Sequence, residues 1–215
     1  MQREDARERI CTPLEVLLPG GRIRPGTAVC AGSDVPLALE LAAHAAAGLA
    51  GWAALGMPDI GVLAAADAGL DPLLGLLVDD PGTAWGPVLS LLLEAVPVVL
   101  VGTAKHVPDR LARRLGAVMR RSGSVLVAMG DWPGAELRLR VREARWEGVG
   151  LDGTGLLHGR RTTVVASGRG SAAAERSVEM WLPGPTGAGE AIAPGARRGT
   201  GEPEAPARAV LRSVG

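Results

Sequence analysis

Through residue 129 the apolar positions come in short continuous runs separated by stretches of helical period, and beyond residue 135 they alternate one by one with arginines. Runs at 28–31, 52–56, 74–78, 96–101 and 125–129 read as strands. The last two carry no charge, as parallel strands covered on both faces require. Stretches from Val35, at 59–68 with Asp59 as N-cap, at 83–94 and at 108–122 read as helices. From Ala135 onward Leu137, Leu139 and Val141 alternate with Arg138, Arg140 and Arg142, which predicts a strand with one buried and one wet face. Segments 161–166 and 177–182 complete an antiparallel meander. The expected fold is α/β, a mainly parallel sheet flanked by helices and extended by antiparallel strands at its C-terminal side.

Three regions follow from this pattern. Residues 1–18 form a lead segment with a turn or short helix at 13–18, and residues 19–183 form the core. Residues 184–215 form a Gly/Pro/Ala/Arg-rich tail, expected to be disordered from 184 to 206 because it offers little to bury. At its end Val210, Leu211 and Val214 are spaced for a short helix that folds on a partner.

Composition narrows the function. Of 215 residues, 47% are apolar, ample for a core, and the zero net charge excludes a globally basic nucleic-acid binder while leaving a local patch open. Five tryptophans are the whole aromatic content, so Leu, Val and Ala build the core, and this weighs against an aromatic base-stacking platform. Cys11 and Cys30 lack metal or disulfide spacing and read as free thiols of a reducing cytosol. The charged N-terminus and the lack of a long uncharged apolar run point to a cytoplasmic protein without membrane contact. His44, His106 and His158 show no metal-site spacing, and Ser33 and Ser124 lack a nucleophile motif, so no catalytic residue or metal is assigned.

The strand at 28–31, the Gly32-Ser33-Asp34 turn and the helix after it follow the order of a phosphate-binding loop, but without its chemistry. With Gly32 as the first glycine of G-x-x-x-x-G-K-[ST], the remaining Gly, Lys and Ser/Thr positions fall on Leu37, Ala38 and Leu39. The chain's one lysine, Lys105, has no glycine cradle before it. No nucleotide or other cofactor is therefore expected.

Arginine patterning supplies the candidate contacts. At about 100° per residue, Arg110, Arg113, Arg114, Arg120 and Arg121 fall within an arc of about 120°, opposite Leu111, Leu115, Val118 and Met119. Arg138, Arg140 and Arg142 share a strand face, with Arg145 nearby, and the two stripes together would contact phosphate or an acidic partner. Trp132, in an expected loop, reads as a partner anchor, whereas Trp146 and Trp181 read as packed in the antiparallel layer.

The order of these pieces resembles the RecA core and, more narrowly, the actinobacterial ImuA-prime accessory mutagenesis proteins. The match runs from Thr12 to about Pro185. It is carried by TPLEVLLPGGRIRPG at 12–26, MPDIG at 57–61, Asp71-Pro72 and RSVEMWLPGP at 176–185. Against RecA, the Walker B aspartate position falls on Gly102 and the catalytic glutamate position on or near Pro58, with Asp59 the nearest acid. The polar sensor is replaced by Ala128-Met129-Gly130-Asp131-Trp132, and the two DNA loops are shortened around 103–108 and 131–135.

What the resemblance implies is a pseudo-ATPase: a non-catalytic RecA-like adaptor in the SOS response that supports error-prone translesion DNA synthesis. Its implied partner is an inactive Y-family polymerase homologue (ImuB-like) and, through it, an error-prone C-family polymerase and the sliding clamp. Two alternatives stand beside it: an SOS cell-division inhibitor of the SulA type, and an ATPase with a nucleotide site rebuilt around Lys105.

Overall fold

In the computed structural model, which describes residues 13–102, 107–150, 154–168 and 174–192, nine strands form one sheet in the order β3-β2-β4-β5-β1-β6-β7-β8-β9. The parallel part comprises β1 (Ala28–Cys30), β2 (Trp52–Leu55), β3 (Gly75–Val78), β4 (Val98–Val101) and β5 (Val125–Ala128). Next to it β6 (Leu137–Val149) begins parallel to β1 and then runs antiparallel to β7 (Gly155–Gly168). Strands β8 (Arg176–Trp181) and β9 (Glu190–Ala191) continue the antiparallel part. The expected α/β architecture is thus the observed one.

Successive residues of the uncharged runs go to opposite layers. Val98, Leu100, Val125 and Val127 join one core with Leu37 and Leu41 of α1 (Val35–Ala46). Val99, Val101, Leu126 and Ala128 join the other, with Leu89 and Leu93 of α3 (Trp85–Ala95) and Leu115 and Met119 of α4 (Asp109–Ser122). Burying side chains on both faces is what a strand without a polar position demands. The antiparallel strands contribute only to the α1 layer, through Leu137, Leu139, Val164 and Met180. Arg138 and Arg140 of β6 fall on the opposite, wetter face, as the two-residue period predicts, whereas Arg160 of β7 lies on the α1 side.

Several expectations are corrected. Helix α2 spans Val62–Asp67 with Gly61 at its N-cap, so Asp59 caps nothing. The Ile60 N–H instead closes a turn on the Met57 carbonyl, 3.1 Å, and the helix starts after it. Trp132 is not an exposed anchor: it is 2% exposed, with its ring centroid 6.2 Å from that of Trp85. Trp146, expected to be packed, is 52% exposed, because β6 and β7 run on beyond the end of α1's layer. Trp181 is half-buried.

The core also continues past Pro183. Residues 184–189 form a turn closed by Gly184 N–H to Ala188 O (2.7 Å), and Thr186 donates from both its N–H and its hydroxyl to Glu190. Gly189 N–H then donates to the carboxylate of Glu40, which is 4% exposed on α1. Low apolar content misled here, since backbone and carboxylate hydrogen bonds order this segment instead of burial. The expected tail from 193 on, with Val210, Leu211 and Val214, lies outside the described residues, as do Cys11, Lys105 and His106.

Burial pushes the Glu40 carboxyl above its ordinary value of 4.5, against the opposing pull of the Gly189 N–H. A carboxyl raised in the folded state binds more protons there than in the unfolded chain, so its contribution to stability is full below the unfolded value and is lost as pH rises through the folded one. Urea denaturation across pH 4 to 8 should therefore show the native chain losing stability relative to Glu40→Gln as pH rises. Parallel pH profiles for the two proteins would contradict this.

Candidate functional site

The turn after β1 delivers the chain to the N-terminus of α1, where a phosphate-binding loop would open. Gly32, at φ 60°, pairs with Gly130, and Asp34 becomes the N-cap, its Oδ1 accepting from the Leu37 N–H at 3.0 Å. Leu37, Ala38 and Leu39, at the positions that would hold Gly, Lys and Ser/Thr, are buried at 0, 0 and 2% exposure. They serve the core.

A helix N-terminus is a ready-made anion site, because its free N–H groups and its dipole both favour negative charge. Here the anion is the chain's own. Arg160 of β7 donates from Nη2 to Asp34 Oδ1 at 2.7 Å, with side chains 12% and 15% exposed. Its Nε donates to Leu182 O at 2.7 Å, and its main chain exchanges hydrogen bonds with Leu182 and Pro183. The guanidinium carbon lies 6.0 Å from the Trp146 ring centroid, within cation–π range.

The position expected for a magnesium-binding aspartate is closed by backbone. Gly102 N–H donates to Leu55 O at 2.8 Å, and a Cβ on Gly102 would lie 2.0 Å from the Gly56 carbonyl oxygen. No side chain fits there without moving the main chain at the ends of β2 and β4. Pro58 and Asp59 are exposed in the turn beyond β2. Among the described residues no group of three His, Cys, Asp or Glu could hold a metal ion. Cys30 is a free, buried thiol, pushed up by that burial.

The two arginine stripes differ. On β6, Arg138 approaches Asp131 at 3.8 Å, while Arg140 and Arg142 both reach Glu175, at 3.8 and 2.5 Å. Arg142 is the extra residue of a β-bulge between Val141 and Glu143, and this bulge gives it the same acid as Arg140. Arg138 also donates to Trp132 O at 3.4 Å, so the 131–136 connection lies between this stripe and α4. On α4, Arg110, Arg113, Arg114, Arg120 and Arg121 are all exposed, and only Arg121 has a carboxylate partner, Glu94, among the described residues. Free positive charge is thus concentrated on α4.

Sequence patterning missed Arg160. It stands in an Arg160-Arg161 pair within a strand, 126 residues from its partner, and carries no spacing signal. Glu40 did leave one, as the lone acid in an otherwise apolar helical stretch.

The family model of the MT3502 N-terminal domain matches residues 16–134, from the first turn to the 131–136 connection. The chain is also 32% identical over 163 residues to the uncharacterized protein Rv3395c of Mycobacterium tuberculosis, an alignment covering 71% of this chain and 80% of that one.

Removing one partner of a buried ion pair strands the other. Arg160→Ala should cost about 3 kcal/mol in urea denaturation, the low end of the usual range because the pair keeps some water contact. A double-mutant cycle with Asp34→Ala should show coupling of about 1 kcal/mol or more. Additive losses would mean that the two groups do not act as a pair.

Proposed function

The chain belongs to the MT3502 N-terminal domain family, and for it we propose a RecA-like, ImuA-prime-type adaptor that works by protein recruitment in damage-induced mutagenesis, without nucleotide turnover. The observation that carries this reading is the helix N-terminus filled by Asp34 and locked by Arg160. A nucleotide phosphate entering there would have to displace a carboxylate that holds two hydrogen bonds of its own. The blocked position at Gly102 supports the same reading, since Mg²⁺ would find no carboxylate on β4.

Recruitment needs surface that water does not suit. At the β3 edge of the sheet Leu76 and Leu77 are nearly half exposed, Leu73 just before the strand is 93% exposed, and Leu63 on α2 is 80% exposed. Exposed large apolar side chains of this kind are candidate contacts for a partner. The proposed partner is the inactive Y-family polymerase homologue, which would link this protein to an error-prone C-family polymerase and the sliding clamp. The proposed location is the cytoplasm. No described helix is long and apolar enough to cross a membrane.

The test is co-expression of the full chain with the polymerase homologue of the same organism, followed by size-exclusion chromatography. A stoichiometric complex is expected, and Leu76→Asp with Leu77→Asp should weaken it by about tenfold or more. Separate elution of the two native proteins would contradict the adaptor role.

A further inference from the structure

Along the outer side of α4 runs a groove of about 1150 Å³, above the roughly 300–1,000 Å³ usual for small-molecule sites. Its helical wall carries Ala112, Arg113, Gly116, Met119 and Arg120, which recur at helical spacing from the first turn to the last. The facing wall is the 24–28 segment and the 132–136 connection, held to each other by the Arg24–Glu136 ion pair at 3.0 Å. At one end the walls meet, since a Cβ on Gly26 would lie 3.1 Å from Arg120 Cα. The lined length, from Asp109 to Arg120 of α4, is about 16 Å, or three helical turns.

The chemistry of the lining selects the occupant. The base is apolar, with Ala112, Met119, Trp132 and Ala135 buried at its sides. Arg113 and Arg120 stand at the rim seven residues apart, about 10 Å along the axis, and have no carboxylate partner among the described residues. Glu136 is taken up by Arg24, so the available positive charge is confined to two points, Arg113 and Arg120, which suits two placed carboxylates better than the continuous row of phosphates of a nucleic-acid backbone. The chain's own residues from 193 on carry Arg197, Arg198, Arg208 and Arg212 against Glu202 and Glu204, so their charge is of the wrong sign.

We propose that the groove between α4 and the 132–136 connection docks an acidic amphipathic helix of a partner protein, its apolar face on the Ala112–Met119 side and two carboxylates, two turns apart, on Arg113 and Arg120. Helix-in-groove recognition supplies the affinity through the apolar face, and the paired charges fix register and orientation. This inference deepens the adaptor reading and rests on it for its biological setting, but it concerns a surface remote from the β3 edge.

The test uses the full chain and a fluorescein-labelled synthetic helix of about 18 residues, with leucines on one face and glutamates seven apart on its border. A twin peptide carries lysines at the glutamate positions. Fluorescence anisotropy should show saturable binding of the acidic peptide, weakened about tenfold or more in Arg113→Glu/Arg120→Glu and in Gly116→Leu. The double charge variant should in turn bind the lysine peptide better than the native chain does, and circular dichroism should show both variants folded. Absence of saturable binding, equal affinity for the two peptides, or displacement of the acidic peptide by a single-stranded oligonucleotide would overturn the proposal. If the polymerase homologue co-purifies with the native chain while the acidic peptide fails to bind, the groove proposal falls and the adaptor reading stands.

Discussion

A carboxylate at the N-terminus of α1 and a guanidinium from β7 hold the parallel and antiparallel halves of this sheet in one arrangement. Asp34 ends the turn after the central strand β1, and Arg160 comes from β7, the second strand of the antiparallel side, 126 residues later. Burying two charges is costly unless each also satisfies its remaining hydrogen-bonding groups. Each has one further bond: Asp34 accepts from Leu37 N–H, and Arg160 donates to Leu182 O. The same contacts fix the end of β8, from which the chain turns back through 184–189 to meet Glu40. Closure of the C-terminal segment and occupation of the helix terminus are thus parts of one network.

That network bears directly on the proposed loss of nucleotide binding at the turn before α1. Loss of the lysine and hydroxyl alone would leave a weakened anion site, because backbone N–H groups do not depend on side-chain identity. Asp34 removes the remaining attraction by supplying the negative charge internally. At the neighbouring strand ends, the approach of Gly56 to Gly102 removes the space that a metal-binding side chain would use. Among the described residues, four α4 arginines lack a carboxylate partner, on the other layer of the sheet, while Arg138, Arg140 and Arg142 of β6 approach Asp131 and Glu175.

Legibility of the sequence followed the range of the interactions. Strands β4 and β5 and the alternation in β6 were readable because burial imposes its period on neighbouring residues, and the helix after Gly32-Ser33-Asp34 was readable from its local order. Trp132 and Trp146 exchanged their expected roles. A loop tryptophan can fold back onto α3, and a strand tryptophan can project beyond the helix layer, and local pattern encodes neither event. The 184–192 segment looked unable to fold because it lacks apolar residues, yet a buried glutamate 149 residues away supplies its anchor. The turn before α1 was legible from its Gly32-Ser33-Asp34 order, but the pairing of Asp34 with Arg160 was not.

The most direct measurement is isothermal titration calorimetry of Mg²⁺–ATP into the full chain, repeated with the Arg160→Ala variant. A helix terminus occupied by its own carboxylate predicts no saturable heat from either protein, because removing Arg160 leaves Asp34 in place. Saturable, stoichiometric binding of Mg²⁺–ATP to the native chain would contradict the central claim.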